Sequence, residues 1–118
     1  MLARLIALAV VVAAATTALA STAVAAPATT PKPVVITITA KKGRPVGGVK
    51  RPTVKKGNMV RLVVRTDAGR QVHLHGYDIE KNVVAGKPVV FLFRAKIPGR
   101  FEIELHHPDV LLAELTVR

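Results

Sequence analysis

From residue 34 onward, apolar and polar residues alternate in short runs that Gly, Pro and Asp residues interrupt. A period of two residues is typical of a β-strand with one buried face. No stretch of ten residues shows helical periodicity. The pattern therefore predicts an all-β domain, a Greek-key sandwich or barrel. The clearest predicted strands cover residues 34–40, 60–65, 72–75, 89–93, 101–105 and 111–117.

The last predicted strand places Leu111, Ala113, Leu115 and Val117 on one face. These four residues are expected to point into the core, because they share one parity along the strand. This strand closes the sheet at the end of the chain.

The first 25 residues have a different pattern. Residues 1–4 form a short positive start, residues 5–19 an uncharged run, and residues 23–25 a small-x-small cleavage site. This is the layout of a secretory signal peptide. We expect cleavage after Ala25, with Ala20 as the alternative, and an exported protein that is periplasmic, extracellular or at the cell envelope. An uncleaved anchor remains open, because residues 5–26 carry no charge and are long enough to cross a bilayer.

The mature chain is expected to contain a flexible tether and one folded domain. Residues 26–32 (APATTPK) are rich in Pro, Thr and Ala, and the domain covers residues 33–118.

The chain has no Cys, which excludes disulfides, thiolate metal sites and a cysteine nucleophile. Its only Ser is Ser21, in the leader, which excludes a serine nucleophile in the mature chain. Glu102 and Glu104 are the only conceivable hydrolase pair, and nothing marks a cleft beside them, so we expect no enzyme activity.

The positive charge is concentrated in the first half of the chain. The formal net charge is +11, and residues 26–66 carry ten basic and no acidic side chains, whereas residues 67–118 carry seven of each. The segment of residues 41–56 is expected to be a loop or an irregular edge strand. Its charge either keeps a sheet edge from pairing with other chains or attracts anionic lipid or acidic cell-wall polymer. We expect no nucleic-acid partner, because an exported chain rarely meets one. The oligomeric state is left open.

All four histidines fall in two pairs, His73/His75 and His106/His107. Residues i and i+2 of a strand project from the same face about 6.5–7 Å apart, so His73 and His75 can converge on one metal ion. They would face outward or toward a rim if Val72 faces the core.

The second pair differs, because neighbouring strand residues point to opposite faces. At most one of His106 and His107 joins the site unless Pro108 has already ended the strand. His106 shares its parity with Glu104, the most plausible carboxylate ligand. The alternative is that all these residues are ordinary exposed polar side chains.

Four segments are similar to a known family. They are a Lys-Gly turn before a hydrophobic strand (KKGNMVRLVV), a histidine after an Asp-containing loop (TDAGRQVHLHGYDI), a Pro-Gly turn (AKIPGRFEIEL) and a last strand after a histidine-bearing loop (HHPDVLLAELTV). Over about residues 34–118 the chain resembles the cupredoxins. The resemblance implies a cupredoxin-type sandwich in which His73 and His106 match the two copper histidines.

The chain departs from the cupredoxin pattern at two copper ligands. Ile103 stands at the cysteine position and Leu111 at the methionine position. A blue-copper site needs the thiolate, so electron transfer of that kind is excluded. The His-Leu-His-Gly run at residues 73–76 also resembles the copper motif of multicopper oxidases, but their His-Cys-His segment is absent.

The expected function is metal binding by a small exported protein. Cu(II) would be held through His73, His75 and His106, with His107 and Glu104 as further candidates, for metal holding or delivery rather than electron transfer. Zn(II) and Ni(II) are competitors for such ligands. The alternative is a cupredoxin-like module without metal, which acts as a structural or interaction domain at the cell envelope through its basic surface.

Overall fold

A computed structural model of the chain describes residues 9–118, and its ordered domain begins at residue 34. Residues 9–33 are exposed and have no regular secondary structure. Residues 1–4, the positive start of the expected signal peptide, lie outside the described residues. Within residues 9–118, no helix has the length and apolar character needed to cross a membrane. The described residues form nine strands, which are β1 (Val34–Lys41), β2 (Arg44–Pro45), β3 (Thr53–Val54), β4 (Met59–Thr66), β5 (Gln71–Leu74), β6 (Ile79–Asn82), β7 (Val89–Arg94), β8 (Gly99–His106) and β9 (Val110–Val117).

The strands form two mixed sheets. The four-stranded sheet has the order β2-β1-β4-β7, and the five-stranded sheet has the order β3-β9-β8-β5-β6. Two neighbouring pairs, β1/β4 and β3/β9, are parallel. Parallel neighbours need a crossover rather than a tight hairpin. The chain between β1 and β4 provides this crossover, because it contains β2 in one sheet and β3 in the other.

The all-β prediction is confirmed, and the core lies between the two sheets. Alternate residues of the strands point inward, and the described residues include no buried polar or charged side chain. With no Cys in the chain, burial of this apolar surface is the main source of stability. The largest fully buried side chains are Phe91, Ile38, Leu62, Leu74, Ile103, Leu105, Leu112 and Leu115.

The predicted inward face of the last strand is wrong at its start. Leu112 is fully buried, whereas Leu111 is only half-buried. Ile103 pairs with Ala113 and Glu104 pairs with Leu111, which leaves Leu112 as an extra residue. Such a β-bulge sets two residues opposite one and changes which side chains share a face. Leu111 therefore lies beside Glu104 on the outer face of the sheet.

Candidate metal centre

Three imidazoles meet on the outer face of the five-stranded sheet. The rings of His73 and His75 have centroids 4.2 Å apart, and the rings of His73 and His106 have centroids 5.7 Å apart. One ring nitrogen from each of the three residues lies within 4.8 Å of the others. We call these residues the three-imidazole group.

Strand pairing explains why the three rings meet. β5 and β8 are antiparallel, with Gln71 opposite His106 and His73 opposite Glu104. His73 and His106 are therefore diagonal neighbours on one face, a separation that long side chains can bridge. His75 follows the end of β5 and continues its pairing, because its backbone N–H donates to the Glu102 carbonyl at 2.9 Å.

The packing below the site holds the histidines outward. Val72 and Leu74 are both fully buried, so the alternation of the strand directs His73 and His75 away from the core. The three imidazoles are half-buried, and the His75 and His106 side chains are 41% and 26% exposed. The group is accessible from solvent, and two of its three residues, His73 and His106, lie on paired strands.

The spacing suits a metal ion. Two nitrogen ligands that each lie about 2.0–2.1 Å from one ion are separated by about 2.8–3.4 Å in square or tetrahedral geometry. The limit of 4.8 Å within the three-imidazole group is close enough for small side-chain rotations to complete such a geometry.

Glu104 lies beside His75 but does not join the three imidazoles within that limit. Its Oε2 is 3.0 Å from His75 Nε2, and its side chain is 26% exposed. Glu104 instead belongs to a second set of close ligand atoms, formed by His75, Glu102 and Glu104. We call this set the mixed group.

His107 is a candidate that the structure does not bring to either group. β8 ends at His106, and His107 is exposed with a φ of 58°. A left-handed backbone at this residue turns the chain out of the strand. Of the second histidine pair, only His106 therefore lies among the candidate ligands.

Asp109 is a neighbour of the site that the sequence analysis did not single out. Its Oδ1 lies 3.1 Å from His106 Nδ1 and accepts a hydrogen bond of 3.3 Å from the His107 backbone N–H. The hydrogen bond with His106 and the one from the His107 backbone lower the pKa of the Asp109 carboxyl below its ordinary value. The sequence does contain a feature that could have identified Asp109. It is an acidic residue three positions after the candidate ligand His106, across a segment that contains Pro108.

No protein-family model and no curated protein matches this chain. Similar solved structures exist, each with a TM-score of 0.55. A copper binding protein in its apo form, solved in solution, is 16% identical over 71% of this chain and 86% of its own. A heme-copper terminal oxidase dimer is 14% identical over 71% of this chain, and a multi-copper oxidase from Pseudomonas thermotolerans is 14% identical over 75% of it.

These likenesses concern the fold. The chain spans 64% of the length of the matched terminal oxidase chain and 30% of the multi-copper oxidase. At such low identity a shared fold does not establish a shared activity. The all-β domain of this chain thus has the fold of known copper proteins, consistent with a cupredoxin-like architecture.

Proposed function

We propose that this protein is a small exported copper-binding protein with a Greek-key, cupredoxin-like domain. It would hold Cu(II) through His73, His75 and His106, for storage or delivery. The observation that carries the proposal is the approach of three ring nitrogens to within 4.8 Å on an accessible sheet face. Imidazole suits Cu(II), which also heads the order of affinities for divalent first-row metals. Zn(II) and Ni(II) are the competing ions.

The proposed role is metal holding rather than catalysis or electron transfer. The chain has no Cys to supply the thiolate of a blue-copper site, and such a thiolate sets the geometry and potential of those sites. The three-imidazole group also lies on an outer sheet face rather than in a cleft that would enclose a substrate. Export of the protein rests on the signal-peptide layout of residues 1–25.

The test is a Cu(II) titration of the protein at two pH values. At about pH 7.5 we expect saturation at one equivalent, with nitrogen ligands visible by electron paramagnetic resonance. At about pH 5.5 we expect at least about a tenfold loss of affinity, because protons compete for imidazole nitrogen below about pH 6.5. Affinity that does not change between these pH values would contradict imidazole ligation.

A second prediction concerns Asp109. The hydrogen bond between Asp109 and His106 Nδ1 leaves Nε2 as the nitrogen that carries a free lone pair. A carboxylate behind a metal-bound histidine orients the ring, and loss of such a partner typically costs about 10–100-fold in affinity. We therefore expect Asp109→Ala to weaken Cu(II) binding by at least about tenfold.

The control for Asp109 is Asp78→Ala. Asp78, like Asp109, is an exposed acid in a turn, but it belongs to neither ligand group and does not contact His106. Titration calorimetry should show Cu(II) affinity within about twofold of wild type for this variant. Equal losses in the two variants would show that Asp109 acts only through general charge.

The alternative function is an interaction module without metal. The basic side chains of the 41–56 segment are exposed, and within the described part of the chain none of them forms an ion pair. Free cations of this kind favour contact with anionic lipid or cell-wall polymer. A protein that binds anionic vesicles in low salt, releases them in high salt and takes up no Cu(II) would support this alternative. The cations are Lys41, Lys42, Arg44, Lys50, Arg51, Lys55 and Lys56.

A further inference from the structure

Two carboxylates and one imidazole form a second set of metal-ligand types beside the three-imidazole group. Glu102 and Glu104 are two residues apart on β8, so their side chains share the outer face. His75 lies across from them and is tied to β8 by its backbone N–H, which donates to the Glu102 carbonyl at 2.9 Å. Ligand atoms of the three residues all lie within 4.8 Å of one another. Sheet pairing therefore holds the mixed group together.

The His75–Glu104 distance fits two ligands of one ion. His75 Nε2 and Glu104 Oε2 are 3.0 Å apart. Ligand atoms at about 2.1 Å from a zinc-sized ion and about 90° apart are separated by about 3.0 Å. Glu102 is exposed and Glu104 is half-buried, so one carboxylate faces solvent while the other lies against the sheet.

We propose that His75, Glu102 and Glu104 form a second divalent-cation site, suited to Zn(II), that shares His75 with the copper site and is filled in alternation with it. The proposal rests on the proposed function, because it assumes that the three-imidazole group also binds metal. Carboxylate ligands suit harder ions than imidazole does, so the two sites differ in the ions that they favour.

The shared ligand makes the two sites alternatives. A neutral imidazole has one nitrogen that carries a proton and one that can bind a metal. When Nε2 of His75 donates to Glu104, Nδ1 is the nitrogen available to the three-imidazole group, and Glu104 orients the ring as carboxylates behind metal-bound histidines do. When the proton is on Nδ1, Nε2 is available beside the Glu104 carboxylate. Each tautomer of His75 thus serves one of the two sites.

The test is Zn(II) titration calorimetry on variants that remove one site at a time. His73→Ala/His106→Ala leaves the mixed group complete, and we expect it to bind one equivalent of Zn(II). Adding Glu102→Gln should weaken that binding by at least about tenfold, because a ligand is lost. Adding Glu114→Gln instead is the matched control, with an expected change within about twofold.

Glu114 is a suitable control because it carries the same charge as Glu102 but supplies no ligand atom to either group. It is the cross-strand partner of Glu102 on β9, so its removal costs the same charge on the same face. It lies outside both ligand groups, although it pairs with Arg100 at 3.8 Å. Equal losses in the Glu102 and Glu114 variants would overturn the second site and leave only an effect of net charge.

Two further measurements test the sharing of His75. Wild-type protein should bind no more than one equivalent of Zn(II), and two equivalents would overturn the sharing. In the Zn(II)-loaded His73→Ala/His106→Ala variant, the nitrogen chemical shifts of His75 should identify Nε2 as the metal-bound atom. Binding through Nδ1 would contradict the mixed site.

Failure of this proposal is distinguishable from failure of the proposed function. The copper proposal fails if wild-type protein does not take up Cu(II). The second site fails if the His73→Ala/His106→Ala variant does not take up Zn(II), whatever wild-type protein does with Cu(II). Circular dichroism of each variant verifies that the sheet is intact before either conclusion is drawn.

Discussion

Replacing His73, His75 and His106 together with Ala is expected to lower Cu(II) affinity by more than about 100-fold, because even the loss of one hydrogen-bond partner of a ligand costs about 10–100-fold. The three rings supply all the nitrogen ligands of the three-imidazole group. They lie on the outer face of the sheet, outside the apolar core. The free energy of unfolding should therefore change little, since substitutions outside the core usually cost within about 0.5 kcal/mol each.

The control for this variant is His107→Ala. His107 is exposed and belongs to neither ligand group, so its removal should leave Cu(II) affinity within about twofold of wild type. Titration calorimetry at about pH 7.5, where free imidazole is neutral, measures both affinities. Equal weak binding by wild type and the triple variant would show that the clustered imidazoles do not hold copper.

The second large effect is expected at Gly76, which directly follows His75. A Cβ at this position would overlap Cδ1 of the Phe101 ring, and the backbone φ is +80°. The Phe101 ring is partly buried and packs edge-on against Tyr77, with centroids 4.8 Å apart. The Tyr77 hydroxyl in turn donates to the Ile97 carbonyl at 2.9 Å.

Gly76→Ala should lower the free energy of unfolding by about 2–5 kcal/mol. About 1–2 kcal/mol comes from an L-residue in a left-handed conformation, and about 1–3 kcal/mol comes from overpacking. Urea unfolding measures the change, with the slope m unchanged if the transition remains two-state. Copper affinity should also fall, because relief of the clash moves the backbone next to His75.

Gly47→Ala separates the cost of the left-handed backbone from the cost of overpacking. Gly47 has a φ of +79°, and a Cβ there would meet nothing within 4 Å. This variant should show only the backbone cost of about 1–2 kcal/mol. If Gly47→Ala and Gly76→Ala were equally destabilised, the contact with Phe101 would contribute nothing and the account of Gly76 would be wrong.

Much of the strand content could be predicted from the sequence because period-two alternation reports local burial. β1, β4, β7 and β8 lie where the apolar runs placed them. β6 was missed, because its residues are mostly exposed and so lack an apolar face. β2 and β3 have only two residues each, too few to show a period. The signal peptide at residues 1–25 stays a prediction.

Part of the candidate site could also be predicted from the alternation of apolar and polar residues along a strand. Alternation with Val72 and Leu74 correctly directed His73 and His75 outward, as their half-buried side chains show. Leu112 could not be foreseen as the inward residue, because a bulge in β9 inserts one residue into the pairing. The contact of Asp109 with His106 depends on how the chain turns after β8, which parity does not describe.

The sequence by itself determined the chemistry that is available. A chain with four His and no Cys has imidazole and carboxylate ligands and no thiolate, whatever its fold. The tertiary structure decided which of those ligands meet. The β5/β8 register sets Gln71 opposite His106, which brings His106 to His73, and the turn after β8 sends His107 away. Alternation along a strand is a local property, whereas the register between two strands is set by packing of the whole core.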